Sequence, residues 1–149
     1  MTSDAGLDPA AVEIGTFLPR SPEQVWRALT EPALLERWLM PSVGFAAAEG
    51  THFLFTLPAG SPGEIACEVL TARAPEQLTL AWVDVRAPRP ARWPLDLTVR
   101  PQGRGTRLLL TQTGFDIADR RQKMARNAME RGWRSSLSRL AELLDDVQP

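Results

Sequence analysis

Tyrosine is absent from this 149-residue chain, and histidine and cysteine occur once each. Each scarcity argues against a class of chemistry. A single cysteine, Cys67, leaves no intramolecular disulfide and fits a reducing compartment. One histidine and one cysteine, far apart, argue against the clustered ligands of a zinc site, and no other cofactor is indicated. Without tyrosine and nearly without histidine, few side chains are suited to acid–base catalysis near neutral pH. Charge of either sign is not in excess. The formal net charge of -1 gives no long-range pull toward nucleic acid or an anionic membrane. No apolar run approaches the ~20 residues that span a bilayer. Met1 to Ala10 has neither the basic start nor the apolar stretch of a secretory signal, so the cytoplasm is the expected location.

What remains is an ordinary globular composition, 44% hydrophobic and 23% charged, in a chain of one-domain size. Such a domain buries roughly 70% of the surface of its unfolded chain and needs no staple. The five tryptophans, Trp26, Trp38, Trp82, Trp93 and Trp133, supply bulky apolar walls with one donor each.

Residues 1–11 carry no periodicity and are expected to be disordered, leaving a single domain over 12–147. Val12 to Leu18 alternates as a strand. Ser21-Pro22-Glu23-Gln24 is a helix start, with a reciprocal Ser21–Gln24 cap and proline at the first helical position. Pro32 opens a second short helix with Leu34, Leu35, Trp38 and Leu39 as its stripe, and Pro41 ends it. From Val43 to Phe115 the period is two. Phe53, Phe55 and Leu57 share a face, as do Ile65, Cys67 and Val69, then Leu78, Leu80 and Trp82. Trp93, Leu95, Leu97 and Val99 follow, then Leu108, Leu110 and Gln112. Pro58 to Gly63 reads as a turn, Arg86 to Arg92 as a loop, and Gln102-Gly103-Arg104-Gly105 as a hairpin turn. This pattern is an antiparallel meander with one apolar face.

Asp116 is the expected N-cap of a final helix of about thirty residues, or ~45 Å. Met129, Trp133, Leu137, Leu140 and Leu144 mark its buried face. A sheet with one apolar face needs a cover, and this helix is the element able to supply it. The expected fold is α+β: a curved antiparallel sheet of about six or seven strands gripping a long C-terminal helix, with a cavity where sheet and helix part.

The chain resembles the single-domain proteins related to the activator of heat-shock-protein-90 ATPase (AHSA-like), within the START, birch-pollen-allergen or SRPBCC superfamily. The likeness rests on Ser21-Pro22-Glu23-Gln24-Val25-Trp26-Arg27-Ala28-Leu29-Thr30-Glu31-Pro32 and Leu35-Glu36-Arg37-Trp38. It continues through Pro75-Glu76-Gln77-Leu78 with Ala81-Trp82, then Gly105-Thr106-Arg107-Leu108-Leu109-Leu110-Thr111-Gln112-Thr113-Gly114-Phe115. Gly132-Trp133 with Leu137 and Leu140 complete it. The resemblance implies a helix-grip fold with a pocket for an apolar ligand. Its relatives include transporters, sensors, cyclase-like enzymes and stress-response proteins. Where the family often carries a Gly-Gly pair before the second long strand, this chain reads Glu49-Gly50.

On that fold the pocket would take Phe53, Phe55, Trp82, Trp93, Leu97 and Gln112 from strands, joined by Cys67 and Leu110. Trp38 and Phe45 would guard its entrance, and Met124, Ala128, Met129 and Trp133 would come from the helix. Gln112 is a polar residue on an apolar face and needs partners. His52 falls on the face opposite Phe53 and Phe55 and is expected in solvent. Cys67 is expected to be a buried small hydrophobe rather than a nucleophile. Arg120, Arg121, Lys123 and Arg126, with Arg86, Arg89 and Arg92, either form solvated faces or rim the pocket mouth for a ligand anion.

The leading expectation is a monomeric or homodimeric protein that binds, carries or senses an apolar small molecule. A cyclase- or hydrolase-like enzyme using Gln112, Asp84 or an arginine in the same pocket is the alternative, and a chaperone-linked interaction module is the third.

Overall fold

The computed structural model describes residues 8–56, 64–84 and 91–146, apart from the side chains of Glu64 and Asp84. The expected turn at 58–63, most of the loop at 86–92, and positions 1–7 and 147 lie outside the described residues. Residues 8–11 are not free chain. The amide of Ala11 bonds the carbonyl of Asp8 at 2.9 Å, and Arg126 clasps the carbonyl of Ala11 through Nε and Nη2 at 3.0 and 2.9 Å. The second of these contacts comes from a residue 115 positions along the chain.

Strand β1 (Val12–Leu18) is followed by helix α1 (Pro22–Thr30), helix α2 (Pro32–Trp38) and the short strand β2 (Ser42–Val43). Then come β3 (His52–Thr56), β4 (Glu64–Arg73), β5 (Gln77–Asp84), β6 (Leu95–Gln102) and β7 (Gly105–Gln112), and finally helix α3 (Arg120–Asp146). The strands form one seven-stranded antiparallel sheet in the order β1-β7-β6-β5-β4-β3-β2. Its first strand in sequence closes against its last, and β2 forms the opposite edge.

Register aligns the apolar alternation of each strand with that of its neighbour. Ile14, Leu110, Leu97 and Leu78 lie in one cross-strand row, and Phe53, Cys67 and Trp82 in another. All seven are buried. Cross-strand pairs of this kind are what fix register in a half-buried sheet. A register shift between Val69 and Thr71 turns Leu70 outward, where it is exposed. The β6–β7 hairpin has a two-residue turn in which Gly103 adopts φ +56° and Arg104 does not have a positive φ. That is the pattern of a turn whose first central position needs glycine.

The start of α1 is a full capping box. Ser21 Oγ accepts from the Gln24 amide at 3.2 Å, and the Ser21 amide donates to Gln24 Oε1 at 3.1 Å. At the other end Ala28 would offer its carbonyl to residue 32, but Pro32 has no N–H. The indole Nε1 of Trp38 donates there instead, at 2.8 Å. One residue of α2 thus satisfies α1 and sets the angle between them.

Helix α3 begins at Arg120, not at Asp116. Asp119 is the effective cap: its side chain accepts from the amide of Arg121 at 2.9 Å and its carbonyl from Lys123 at 2.9 Å. Asp116 instead closes a turn of its own, accepting from the Ala118 amide at 3.1 Å. Two plausible caps three residues apart are hard to order from sequence. The helix has 27 residues, and Trp133, Ser136, Leu137, Leu140, Leu143 and Leu144 are buried. It packs against β1, α1 and α2.

Candidate functional site

The region between α3 and the inner sheet face is mostly solid. A line of aromatic rings crosses it: Phe45 to Phe53 at 4.9 Å, Phe53 to Phe55 at 5.1 Å, Phe55 to Trp82 at 5.6 Å, and Trp82 to Trp133 at 5.4 Å between centroids. The first two contacts are edge-to-face, the geometry that ring quadrupoles favour. Behind this line Gln112 is fully buried. Its Oε1 accepts from Trp133 Nε1 at 2.8 Å, and its Nε2 donates to the carbonyl of Trp93 at 2.9 Å. The amide therefore links α3, β7 and the segment entering β6. Trp93 stacks on Phe115 at 4.7 Å.

A groove of about 510 Å³ remains where α3 leaves the sheet. Its walls are Leu39 and Met40 after α2, Ile65 of β4, Trp82 of β5, and Ala128, Met129, Gly132 and Trp133 of α3. Ser135, Ser136 and Arg139 line its far end on α3. The groove's size is within the roughly 300–1,000 Å³ of small-molecule sites, and it is apolar with a few polar groups. Trp82 has a buried Nε1 with no hydrogen-bond partner among the described residues. A β-carbon built on Gly132 would meet nothing within 4 Å, so this glycine opens onto free space.

Of the residues proposed from sequence for the pocket, the groove brings together Trp82, Ala128, Met129 and Trp133. Phe53, Phe55 and Leu97 are buried in the core. Trp93 and Gln112 are buried and committed to the contacts above. Trp38 is fully buried beneath α1 and does not guard an entrance, because the Pro32 gap draws its indole inward. Phe45 is half-buried against Phe53. Met124 does not line the groove; it is 64% exposed, about two and a half turns before Trp133, the first buried residue of α3. Its i, i+4 relation to Ala128 holds, but both are exposed, while Ala125 and Met129 beside them pack on the core, so the inward face of α3 is rotated away from Met124. Leu39, Met40, Ile65, Gly132, Ser135, Ser136 and Arg139 were missed. Ile65 and Met40 carried an apolar signal, whereas Gly132 and Arg139 had none that separates them from any helix surface.

The titratable candidates are placed as follows. His52 is exposed on β3, across from Glu68 of β4. Cys67 is 5% exposed, and burial pushes its thiol up to about 12. It is a neutral packing residue, not a thiolate. Arg126 serves Ala11 and pairs with Glu130 at 2.7 Å. Arg120, Arg121 and Lys123 are exposed and outside the groove. Among the described residues no group of His, Cys, Asp and Glu is arranged to hold a metal ion, and no helix is long and apolar enough to cross a membrane.

A curved antiparallel sheet closed on a long C-terminal helix, with a groove at their margin, defines a helix-grip protein. Residues 19–145 match the family model described as "Activator of Hsp90 ATPase homolog 1-like protein", and the chain belongs to that family. It is similar in structure to a protein of Mesorhizobium loti, with 31% identity and a TM-score of 0.83 over 93% of this chain and 99% of that one. A protein of Chromobacterium violaceum is similar at 23% identity and TM-score 0.78, covering 94% of this chain and 100% of that one. CalU16 from Micromonospora echinospora is similar at 23% identity and TM-score 0.72, covering 91% and 76%. No curated protein matches the chain.

Proposed function

We propose that this protein binds an apolar small molecule in the groove between α3, the end of α2 and strands β4 and β5. The observation that carries the reading is that the Trp82 and Trp133 rings line one groove with a glycine, Gly132, whose would-be β-carbon meets no atom within 4 Å. Glycine inside a helix costs about 1 kcal/mol relative to alanine. Nothing in the surrounding packing demands it, since no atom lies within 4 Å of its would-be β-carbon. Its effect is to keep the groove wide.

Binding is favoured over catalysis. Gln112 is held by Trp133 and Trp93, Cys67 is neutral, and His52 is on the outer face of the sheet. Among the described residues, the lining includes no carboxylate, histidine or cysteine. A cyclase- or hydrolase-like reaction would need a positioned acid or base there.

The test is titration with the neutral fluorescent probe N-phenyl-1-naphthylamine. The expected result is one saturable site whose fluorescence gain is lost in Gly132→Phe and kept in Met124→Ala. Absence of saturable binding to the wild type, or full binding by Gly132→Phe, would overturn the reading.

A further inference from the structure

Helix α3 carries several arginines, and they are used differently. Arg126 and Arg134 share Glu130, at 2.7 and 3.2 Å. Arg139 makes no ion pair among the described residues. Its guanidinium is nonetheless held in place. Nε donates to the carbonyl of Trp38 at 3.2 Å, and Nη2 donates to Ser136 Oγ at 3.0 Å. Both acceptors are neutral. They orient the fork without cancelling its charge, and Nη1 makes no hydrogen bond to the described residues.

Among the described residues, Arg139 is also the one charged residue lining the groove. Its α-carbon is eleven positions along α3 from Ala128 at the other end, or ~16 Å of helix axis. The groove is therefore elongated, apolar along its length and cationic at one end. A guanidinium presented beside an apolar wall has its carboxylate attraction strengthened by the lower local dielectric, and its planar fork suits a carboxylate.

Resting on the binding reading above, we propose that the groove selects elongated amphipathic carboxylates, with the chain against Trp82, Met129 and Trp133 and the carboxylate on Arg139. The arginine clusters at the start of α3 take no part, because they lie outside the groove.

The experiment compares dodecanoate with dodecan-1-ol as competitors of N-phenyl-1-naphthylamine, in the wild type and in Arg139→Gln. The chains are equal, so the difference isolates the head group. The expected result is that the wild type prefers dodecanoate roughly tenfold, the scale of one charge-assisted contact at a groove mouth. Arg139→Gln should remove the preference while leaving dodecan-1-ol affinity within about twofold, which also shows that the groove is intact. Equal affinities in the wild type, or a preference that survives in Arg139→Gln, overturn carboxylate selection while leaving apolar binding standing. If neither compound displaces the probe, or the probe itself does not bind, both readings fall.

Discussion

The carbonyl of Ala28 faces a proline that has no N–H to give, and the Trp38 indole supplies the missing donor. Trp38→Phe keeps most of the ring but strands that buried acceptor. The expected loss is about 1–3 kcal/mol of stability, read by urea unfolding. Gln112 is a sharper case, because both ends of its amide are used. Gln112→Leu leaves the Trp133 donor and the Trp93 carbonyl unpartnered inside the core, at a cost of about 2–4 kcal/mol. A fall in stability of less than about 0.5 kcal/mol would mean that water or repacking satisfies both groups. A variant at Gln112 cannot serve as a clean test of catalysis, since it acts first on the fold. Cys67 has a raised pKa because burial disfavours its thiolate, so the folded state holds the proton more tightly than the unfolded one. The associated stability is complete below the thiol's ordinary value of 9.0 and is lost as pH rises toward about 12. Two outcomes follow. A thiol reagent at pH 8 should leave the native protein unmodified and label one equivalent in urea. The decline of stability between pH 9 and 11 should be shallower in Cys67→Ala.

Elements whose shape follows from local chemistry were legible in the sequence, and those fixed by distant contacts were not. The capping box at Ser21, the break at Pro32 and the glycine turn at Gly103 each depend on a few adjacent residues, and all three occur where the sequence puts them. The start of α3 was misplaced by one cap, since Asp116 and Asp119 both offer a carboxylate to nearby amides. Met124 is exposed while Ala125 and Met129 pack on the core, because an i, i+4 stripe read from sequence leaves open which edge of the helix face turns inward. The junction at Gly114 shows a constraint that sequence conceals. It has φ +91°, and a β-carbon there would lie 2.5 Å from the carbonyl oxygen of Arg92. Gly114→Ala should therefore destabilise by about 1–3 kcal/mol, through an unfavourable backbone region and a clash with main chain. Gly132→Ala should do the opposite. Its helix is regular there and the space is open, so a gain of up to about 1 kcal/mol is expected from propensity alone. Thermal unfolding of the two variants side by side checks both signs.

For the whole molecule, the apolar alternation of the strands and the stripe on α3 were enough to give the helix-grip architecture. They could not say how much of the space between sheet and helix is filled. That depends on rotamers: the rings of Phe55, Trp82 and Trp133 lean on one another and close the centre, and the groove lies beside them where Gly132 and Ala128 offer little side-chain volume. Residues that fill and residues that line look alike in a binary pattern. The groove also joins parts of the chain far apart in sequence, from Leu39 through Ile65 and Trp82 to Arg139. It exists only when α2, the sheet and α3 are docked together, so a ligand there binds the folded state and not the unfolded chain. At ten times its Kd, N-phenyl-1-naphthylamine should raise unfolding free energy by about 1.4 kcal/mol. The urea midpoint should rise with no change in m, because the surface exposed on unfolding is the same. Gly132→Phe should show no such shift. A rise of equal size in that variant would place the probe elsewhere on the molecule, and a rise accompanied by a smaller m would mean that α3 undocks before the sheet unfolds.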